Sequence, residues 1–145
     1  MNVSDLRVTL YRETVATGRV PRADVLAGKL RVPVGEVREG FERLAASRVL
    51  ALQPTSREIL FAAPFSAVPT PFVVHAAGRS YFSPCIWDTF GIIGILKTDA
   101  EIESSCSCCG EAMSIKILEG QLVPASGVIH FALPAKRWWE NIVFT

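Results

Sequence analysis

Residues 83–91 read Ser83-Pro84-Cys85-Ile86-Trp87-Asp88-Thr89-Phe90-Gly91, an apolar stretch that contains one cysteine and one aspartate. If the stretch is helical, side chains three positions apart lie on the same face, one turn from each other. The thiol of Cys85 and the carboxylate of Asp88 are then neighbours. A soft nucleophile beside a group that can carry a proton is a combination that catalysis uses.

The stretch continues into a segment that predicts a buried helix. Pro84 suits the first turn of a helix, and mostly isoleucine, leucine and aromatic residues follow as far as Leu96. A carboxylate on such a helix costs on the order of several kcal/mol unless it is hydrogen-bonded, paired or protonated. Asp88 is therefore either a carboxylate bonded to backbone amides or a proton donor whose pKa is raised by burial.

The other cysteines, Cys106, Cys108 and Cys109, form a cluster that ends at Gly110, a residue that permits a tight turn. Three thiols so close together can converge on a soft metal ion such as Hg(II), Cu(I) or Zn(II). Structural zinc needs four ligands, and Cys85 is the remaining cysteine that the fold would have to bring there. A redox-active pair at Cys108 and Cys109, or cysteines that only pack in a turn, fit the spacing as well.

Composition sets limits on the class of protein. A chain of 145 residues is long enough for one typical domain or two small ones. A net charge of +1 gives no field that recruits nucleic acid or a membrane surface. No secretory signal is visible, and no apolar run approaches the roughly 18 residues of a membrane-spanning helix. We expect a cytoplasmic protein, in which clustered cysteines indicate metal binding or catalysis rather than disulfides.

Residues 1–62 predict a small domain of three helices and a β-hairpin. This order resembles the winged helix, a fold that many transcription regulators use, with the third helix in the major groove. In that interpretation the phosphate contacts would come from Arg31, Arg38, Arg43 and Arg57. The third helix also exposes Glu36, Glu39 and Glu42, which would repel the DNA backbone. We therefore favour a structural or substrate-covering region here over a region that binds nucleic acid.

Residues 63–80 predict a proline-rich linker and a short strand, because three closely spaced prolines forbid a continuous helix. The strand, Phe72 to Ala76, contains His75. This histidine could act as a base near the thiols, but nothing in the sequence fixes it close to Cys85. A hydrogen-bonded or exposed histidine is the favoured interpretation.

Residues 81–145 predict the buried helix and a small antiparallel sheet that packs on it. The expected strands of that sheet are residues 112–118, which alternate between apolar and polar, and residues 128–133. Trp138 and Trp139 either shape an apolar pocket or close a core or an interface. The whole chain is thus predicted to be an α+β protein.

These residues carry a resemblance to a known family. Cys85-Ile86-Trp87-Asp88-Thr89, on an apolar helix after a winged-helix-like region and before a Ser-Ser-Cys segment and a β-rich piece, resembles the alkylmercury lyase (organomercurial lyase) family. The resemblance covers most of the chain in order and spacing, and its specific part is the Cys-x-x-Asp-Thr motif. It implies that residues 81–145 form a thiol and carboxylate domain that cleaves a carbon–mercury bond. Cys85 would be the first mercury-binding thiolate and Asp88 the proton shuttle.

The resemblance also implies a second catalytic cysteine after a further β-rich stretch. The sequence ends at residues 141–145, about where that cysteine is expected, and its last cysteine is Cys109. We therefore expect either a shortened relative without the activity, or a site in which one of Cys106, Cys108 and Cys109 supplies the second thiolate. In the second case the metal-binding residues are Cys85, Asp88, Cys106, Cys108 and Cys109.

Two classes of function follow. The first is an enzyme that acts on a small organomercurial, requires no cofactor and leaves Hg(II) on the protein. The second is a non-catalytic protein that binds or senses a soft metal ion through thiolates, with a winged-helix metal-responsive regulator as its variant. Thiolates suit both, because soft metals prefer sulfur to oxygen or nitrogen.

Overall fold

Three helices open the chain in the computed structural model, which describes residues 1–124 and 126–142. They are α1, Val3–Thr17, α2, Ala23–Leu30, and α3, Val34–Ala46. Asn2 caps α1 by accepting a hydrogen bond of 2.9 Å from the Ser4 amide, and Gly18 ends the helix with a left-handed φ of 74°. Within the described ranges no helix combines the length and the apolar character that crossing a membrane requires.

A three-stranded antiparallel sheet follows these helices in the order β1-β2-β3. Its strands are β1, Leu50–Leu52, β2, Ile59–Ala62, and β3, Phe65–Ser66. Strands β1 and β2 form the predicted hairpin, and β3 adds to β2 by pairing Ala62 with Phe65. The predicted linker thus begins with a strand. Pro64, which has no amide hydrogen to donate, lies just before this strand, so it does not interrupt the pairing of Phe65.

A second antiparallel sheet has five strands in the order β5-β4-β6-β7-β8. Its strands are β4, Val73–Ala76, β5, Arg79–Phe82, β6, Ala100–Ser105, β7, Ala112–Leu118, and β8, Gln121–Leu122. Helix α4, Ile86–Leu96, joins β5 to β6 and packs on β4 and β6. A helical first part and a helix on an antiparallel sheet confirm the predicted α+β fold.

The core has two hydrophobic clusters, and α1 contacts both. Leu6 and Leu10 of α1 belong to the first cluster with α2, α3, β1 and β2. Tyr11 and Val15, on the same helix, pack against the second cluster. The Tyr81 hydroxyl of β5 donates a hydrogen bond of 2.9 Å to the Val15 carbonyl. The helical part therefore lies directly against the sheet that carries α4.

Helix α4 is buried on one side. Thr89, Ile92 and Ile93 face the sheet, whereas Trp87 and Ile95 are 58% and 45% exposed. The predicted packing of this helix on the sheet is confirmed. Although the helix is apolar on nearly every side, only the side that packs on the sheet is buried. The opposite side faces solvent.

The segment 128–133 is irregular and not the predicted strand. Phe131 contacts Trp138 with ring centroids 4.9 Å apart, and the Trp138 indole donates a hydrogen bond of 2.9 Å to the Leu133 carbonyl. Trp138 belongs to a 3-10 helix, Ala135–Glu140. These aromatic contacts fold the segment onto the 3-10 helix in place of a strand ladder.

The acidic residues of the first part pair with its arginines. Arg57 forms a two-point ion pair with Glu42 of α3. Arg38 lies 3.8 Å from Glu58, whose carboxylate also accepts a hydrogen bond of 3.0 Å from the Ala23 amide. Two of the four arginines considered above as phosphate contacts therefore have carboxylate partners within the protein.

Candidate active site

Cys85 is the N-cap of α4 and not part of the helix. Its backbone is extended, with φ −149° and ψ 172°, and the helix begins at Ile86. Asp88 lies in the first turn, and the Cys85 thiol donates a hydrogen bond of 3.3 Å to Asp88 Oδ2. The two side chains meet because an N-cap residue and the residue three positions later face each other, as they do in a capping box. The prediction placed both on one helical face.

Two buried hydroxyls fix the backbone on either side of Cys85. Ser83 is fully buried, and its hydroxyl lies 3.2 Å from the Pro64 carbonyl and 2.9 Å from the Cys85 carbonyl. Thr89, also fully buried, donates a hydrogen bond of 2.6 Å to the Ile86 carbonyl. These two hydroxyls therefore fix the position of Cys85 between strand β5 and helix α4.

Burial keeps the proton on the thiol. It raises the pKa of Cys85 to about 11, the Asp88 carboxylate adds to the rise, and the backbone amides of Asp88 and Trp87 oppose it. Burial also raises the pKa of Asp88, and the hydrogen bond from Cys85 opposes that rise. At neutral pH Cys85 is thus a thiol, and it donates its hydrogen bond to Asp88.

A cavity of about 300 Å³ opens in front of this pair. Three separate parts of the chain line it: the first sheet and the segment after it, the start of α4, and the 3-10 helix region. The lining residues are Leu60, Phe61, Ala63, Ser66, Val68, Thr70, Pro84, Cys85, Asp88, Phe131, Trp138, Trp139 and Ile142. Most of these side chains are apolar, so the cavity suits a ligand with an apolar body.

The hydroxyl groups of this lining are already used by the backbone. Ser66 donates a hydrogen bond of 2.8 Å to the Val68 carbonyl. Thr70 donates one of 2.7 Å to the Ser83 carbonyl. Among the described lining residues, the Cys85 thiol and the Asp88 carboxylate are therefore the groups with chemistry to offer a ligand.

Contacts from the first part of the chain hold the cavity together. Arg48 places its guanidinium 5.8 Å from the centre of the Trp139 ring, a cation–π contact. The Tyr11 hydroxyl donates a hydrogen bond of 2.7 Å to the carbonyl of Ala63, a lining residue. Burial raises the pKa of Tyr11, Arg7 opposes the rise, and the negative charge of Asp88 adds to it. The helical part thus supports the cavity wall and lies within electrostatic reach of Asp88.

The cluster Cys106, Cys108 and Cys109 lies in the turn between β6 and β7. Backbone amides of Cys109 and Cys108 and the Cys109 thiol lower the pKa of Cys106. The register places this turn at the same end of the sheet as the start of α4, since Val73 pairs with both Phe82 and Glu103. None of the three cysteines is among the cavity's lining residues.

The structure thus brings Cys85 and Asp88 together and leaves the later cysteines outside their cavity. In residues 1–124 and 126–142, no three His, Cys, Asp or Glu side chains are arranged to hold one metal ion. Within these ranges Cys85, Asp88, Cys106, Cys108 and Cys109 are therefore not gathered into one such group, and metal binding by these five residues stays a prediction. His75 contacts Ser80 at 2.8 Å and Glu103 at 3.1 Å, and it does not line the cavity.

Sequence reasoning missed most of the wall. Trp138 and Trp139 were considered for a pocket, but Leu60 and Phe61 were interpreted only as strand residues. In β2, three of four residues are buried and Leu60 is intermediate, so alternation gives no sign that it faces a cavity. A local pattern reports which residues are apolar, and not which distant segment they face.

A match to a protein-family model shows which family the chain belongs to. Residues 65–145, more than half of the chain, match the family model described as alkylmercury lyase, MerB. The chain belongs to the alkylmercury lyase family. The resemblance proposed from Cys85 to Thr89 is therefore confirmed, and both Cys85 and Asp88 fall within the matched alkylmercury lyase region. No curated protein matches the chain.

A solved alkylmercury lyase structure shows the same fold. It is described as the crystal structure of the mercury-bound form of MerB2, and it superposes with a TM-score of 0.64 at 23% sequence identity. The match covers 84% of this chain and 58% of that chain, so this protein spans somewhat more than half the length of that alkylmercury lyase.

Proposed function

We propose that this protein cleaves the carbon–mercury bond of small organomercurials, with Cys85 as the mercury-binding sulfur and Asp88 as the proton carrier. The observation that carries the proposal is the 3.3 Å contact between Cys85 Sγ and Asp88 Oδ2 at an apolar cavity. Membership of the alkylmercury lyase family supports it. The solved relative is described as mercury-bound, which supports a soft metal in the substrate.

The first step is a transfer of the substrate's mercury to sulfur. The substrate is R–Hg–X, in which R is an alkyl or aryl group and X is a leaving ligand such as a small thiolate. Cys85 Sγ forms a bond to mercury, X departs as an anion, and the thiol proton moves to Asp88. Mercury is a soft cation that binds sulfur strongly, which makes loss of a proton from a buried thiol favourable.

The second step returns the proton to carbon. Sulfur bound to mercury gives the carbon of R carbanion character, and Asp88, now a carboxylic acid, protonates it. The electron pair of the carbon–mercury bond goes to the new carbon–hydrogen bond. The hydrocarbon R–H leaves, Hg(II) stays on Cys85, and Asp88 is again a carboxylate. No group changes its oxidation state, so the reaction needs no cofactor.

The cavity wall favours an apolar R group. Phe61, Phe131 and the two tryptophans supply aromatic surface, and the lining hydroxyls of Ser66 and Thr70 are occupied by backbone carbonyls. A cavity of about 300 Å³ accommodates a small alkyl or phenyl substituent. Exclusion of water by this wall also strengthens the interaction between the developing carbanion and Asp88.

Hydrocarbon release tests the proposed function directly. Reduced protein is incubated with phenylmercury or methylmercury and a small thiol, and benzene or methane is measured by gas chromatography. We expect many turnovers per chain, because the added thiol removes Hg(II) from Cys85. Stoichiometric uptake of mercury without hydrocarbon would contradict the lyase and support the non-catalytic binding protein.

The pH dependence of kcat/KM should be bell-shaped, since the proposed cycle needs Cys85 protonated and Asp88 ionised in the free enzyme. Below the pKa of Asp88 the carboxyl group cannot accept the thiol proton, and burial places this limb above the ordinary carboxyl value of 3.8. Above about 11 the thiol has lost to solvent the proton that the carbon requires.

The two limbs are measured as kcat/KM for hydrocarbon release, with circular dichroism at each pH to confirm that the protein stays folded. Because the two groups are in contact, the apparent values belong to the pair. An alkaline limb at or below the ordinary thiol value of 9.0 would contradict the assignment of a buried, protonated Cys85.

A further inference from the structure

The turn between β6 and β7 presents its thiols on a fixed backbone. The Cys106 amide donates a hydrogen bond of 2.8 Å to the Glu111 carbonyl, and the Gly110 amide donates one of 2.8 Å to the Cys106 carbonyl. Gly110 has a φ of 74°, a left-handed conformation that favours glycine. The strands on either side are paired up to Ser105 and Ala112, so the turn extends from a continuous antiparallel ladder.

Cys106 and Cys109 stand at the two sides of this turn. The hydrogen bond of 2.8 Å from the Gly110 amide to the Cys106 carbonyl closes the turn and brings Cys109, the residue before Gly110, back towards Cys106. The amide and thiol of Cys109 both lower the pKa of Cys106, whereas Cys108 acts on it only through its backbone amide. All the cysteines of the chain are free thiols. Cys108 and Cys109 are exposed and Cys106 is partly exposed, so a dissolved ion reaches the pair without passing through the cavity. The spacing of the pair is Cys-x-x-Cys.

Two sulfurs without a third ligand select a particular kind of ion. Structural zinc takes four ligands in a tetrahedron. In the part of the chain that the structure describes, no third His, Cys, Asp or Glu joins this pair to make a metal site. Hg(II) differs, because it is a very soft cation that forms stable complexes with two thiolates. A paired dithiol in an exposed turn therefore matches Hg(II) better than Zn(II).

We infer that Cys106 and Cys109 form a second mercury site, which binds one Hg(II) ion through two thiolates outside the cavity of Cys85 and Asp88. Binding forms two sulfur–mercury bonds and releases two protons to solvent, without any oxidation or reduction. The site does not rest on the proposed lyase activity, because it lies on a different turn and takes the free ion. In a protein that also cleaves organomercurials, it would bind the inorganic product.

The test uses the full chain with Cys85→Ser, which removes the cavity thiol. The reduced protein is titrated with mercuric chloride in the presence of a monothiol competitor, and binding is followed by the ultraviolet absorption of mercury–thiolate bonds. We expect one ion per chain and two protons released per ion. Adding Cys109→Ser or Cys106→Ser should lower the affinity roughly 100-fold or more, because the chelate becomes a single thiolate.

Cys108→Ser on the same background is the matched control, since it removes a thiol from the same turn. Its affinity should stay within about threefold of the parent, because a thiolate that does not bind the ion contributes no chelate effect. An equal loss in Cys108→Ser would overturn the pair in favour of a three-thiol or vicinal site. Unchanged affinity in Cys109→Ser, or retention of zinc through gel filtration, would also overturn it. Unchanged circular dichroism of the variants shows that the turn substitutions leave the fold intact.

Discussion

Replacing Cys85 with serine is expected to reduce hydrocarbon release from an organomercurial to the rate in buffer. A serine hydroxyl is a hard oxygen donor that binds mercury far more weakly than sulfur does, so the first step has no acceptor. The measurement is gas chromatography of benzene or methane, with wild type and variant at equal concentration. A variant that keeps more than about a tenth of the wild-type rate contradicts the role of Cys85, because a nucleophile's removal costs several orders of magnitude.

Loss of folding cannot explain that result, and the structure gives the reason. Cys85 is the N-cap of α4 with an extended backbone, and serine is among the residues preferred at that position. We therefore expect Cys85→Ser to melt at or slightly above the wild-type temperature. A lower melting temperature would mean that the thiol contributes packing that the hydroxyl does not replace.

Replacing Asp88 with asparagine is expected to separate mercury binding from cleavage. The amide has nearly the shape of the carboxyl group and still accepts a hydrogen bond from the Cys85 thiol. It cannot take up that proton or deliver it to carbon, and loss of a positioned general acid costs roughly 10²- to 10⁴-fold in rate. In this variant the thiol proton can leave only with X or with solvent, so the R–Hg group should add to Cys85 more slowly than in wild type. It should then accumulate there and be visible as an added mass in intact-protein mass spectrometry.

Asp5→Asn is the matched control for this experiment, because it removes the same charge from an exposed position in the first turn of α1. It should release hydrocarbon at the wild-type rate. The proton-carrier role of Asp88 is excluded if Asp88→Asn cleaves as fast as this control.

Local sequence was sufficient for the parts of the molecule that depend on near neighbours. Cys85 and Asp88 are three residues apart, and that spacing brings their side chains together both in a helix and across a helix N-terminus. The three helices and the hairpin could likewise be predicted, since their apolar periods and turns are complete within short segments. The motif around Cys85 also indicated the alkylmercury lyase family, and the match over residues 65–145 confirms that family.

Contacts between distant segments decided the rest. The cavity joins Leu60, Cys85 and Trp139, and no periodic pattern relates three segments so far apart in sequence. The segment 128–133 has the composition of a strand, but the contact of Phe131 with Trp138 outweighs that preference. Trp87 and Ile95 are exposed because α4 covers a single face of the sheet, a fact of architecture and not of composition.

Because Cys85 keeps its proton at neutral pH, many reagents that attack cysteines do not react with it. Peroxides and disulfides react with thiolates and hardly with thiols, so a cysteine whose pKa is raised to about 11 is a poor target for oxidation and for mixed-disulfide formation. Only a reagent that binds sulfur strongly enough to displace the thiol proton reacts readily with Cys85. Burial therefore protects Cys85 from oxidation, and in an oxidising episode we expect the partly exposed Cys106, whose pKa is lowered, to be oxidised before it.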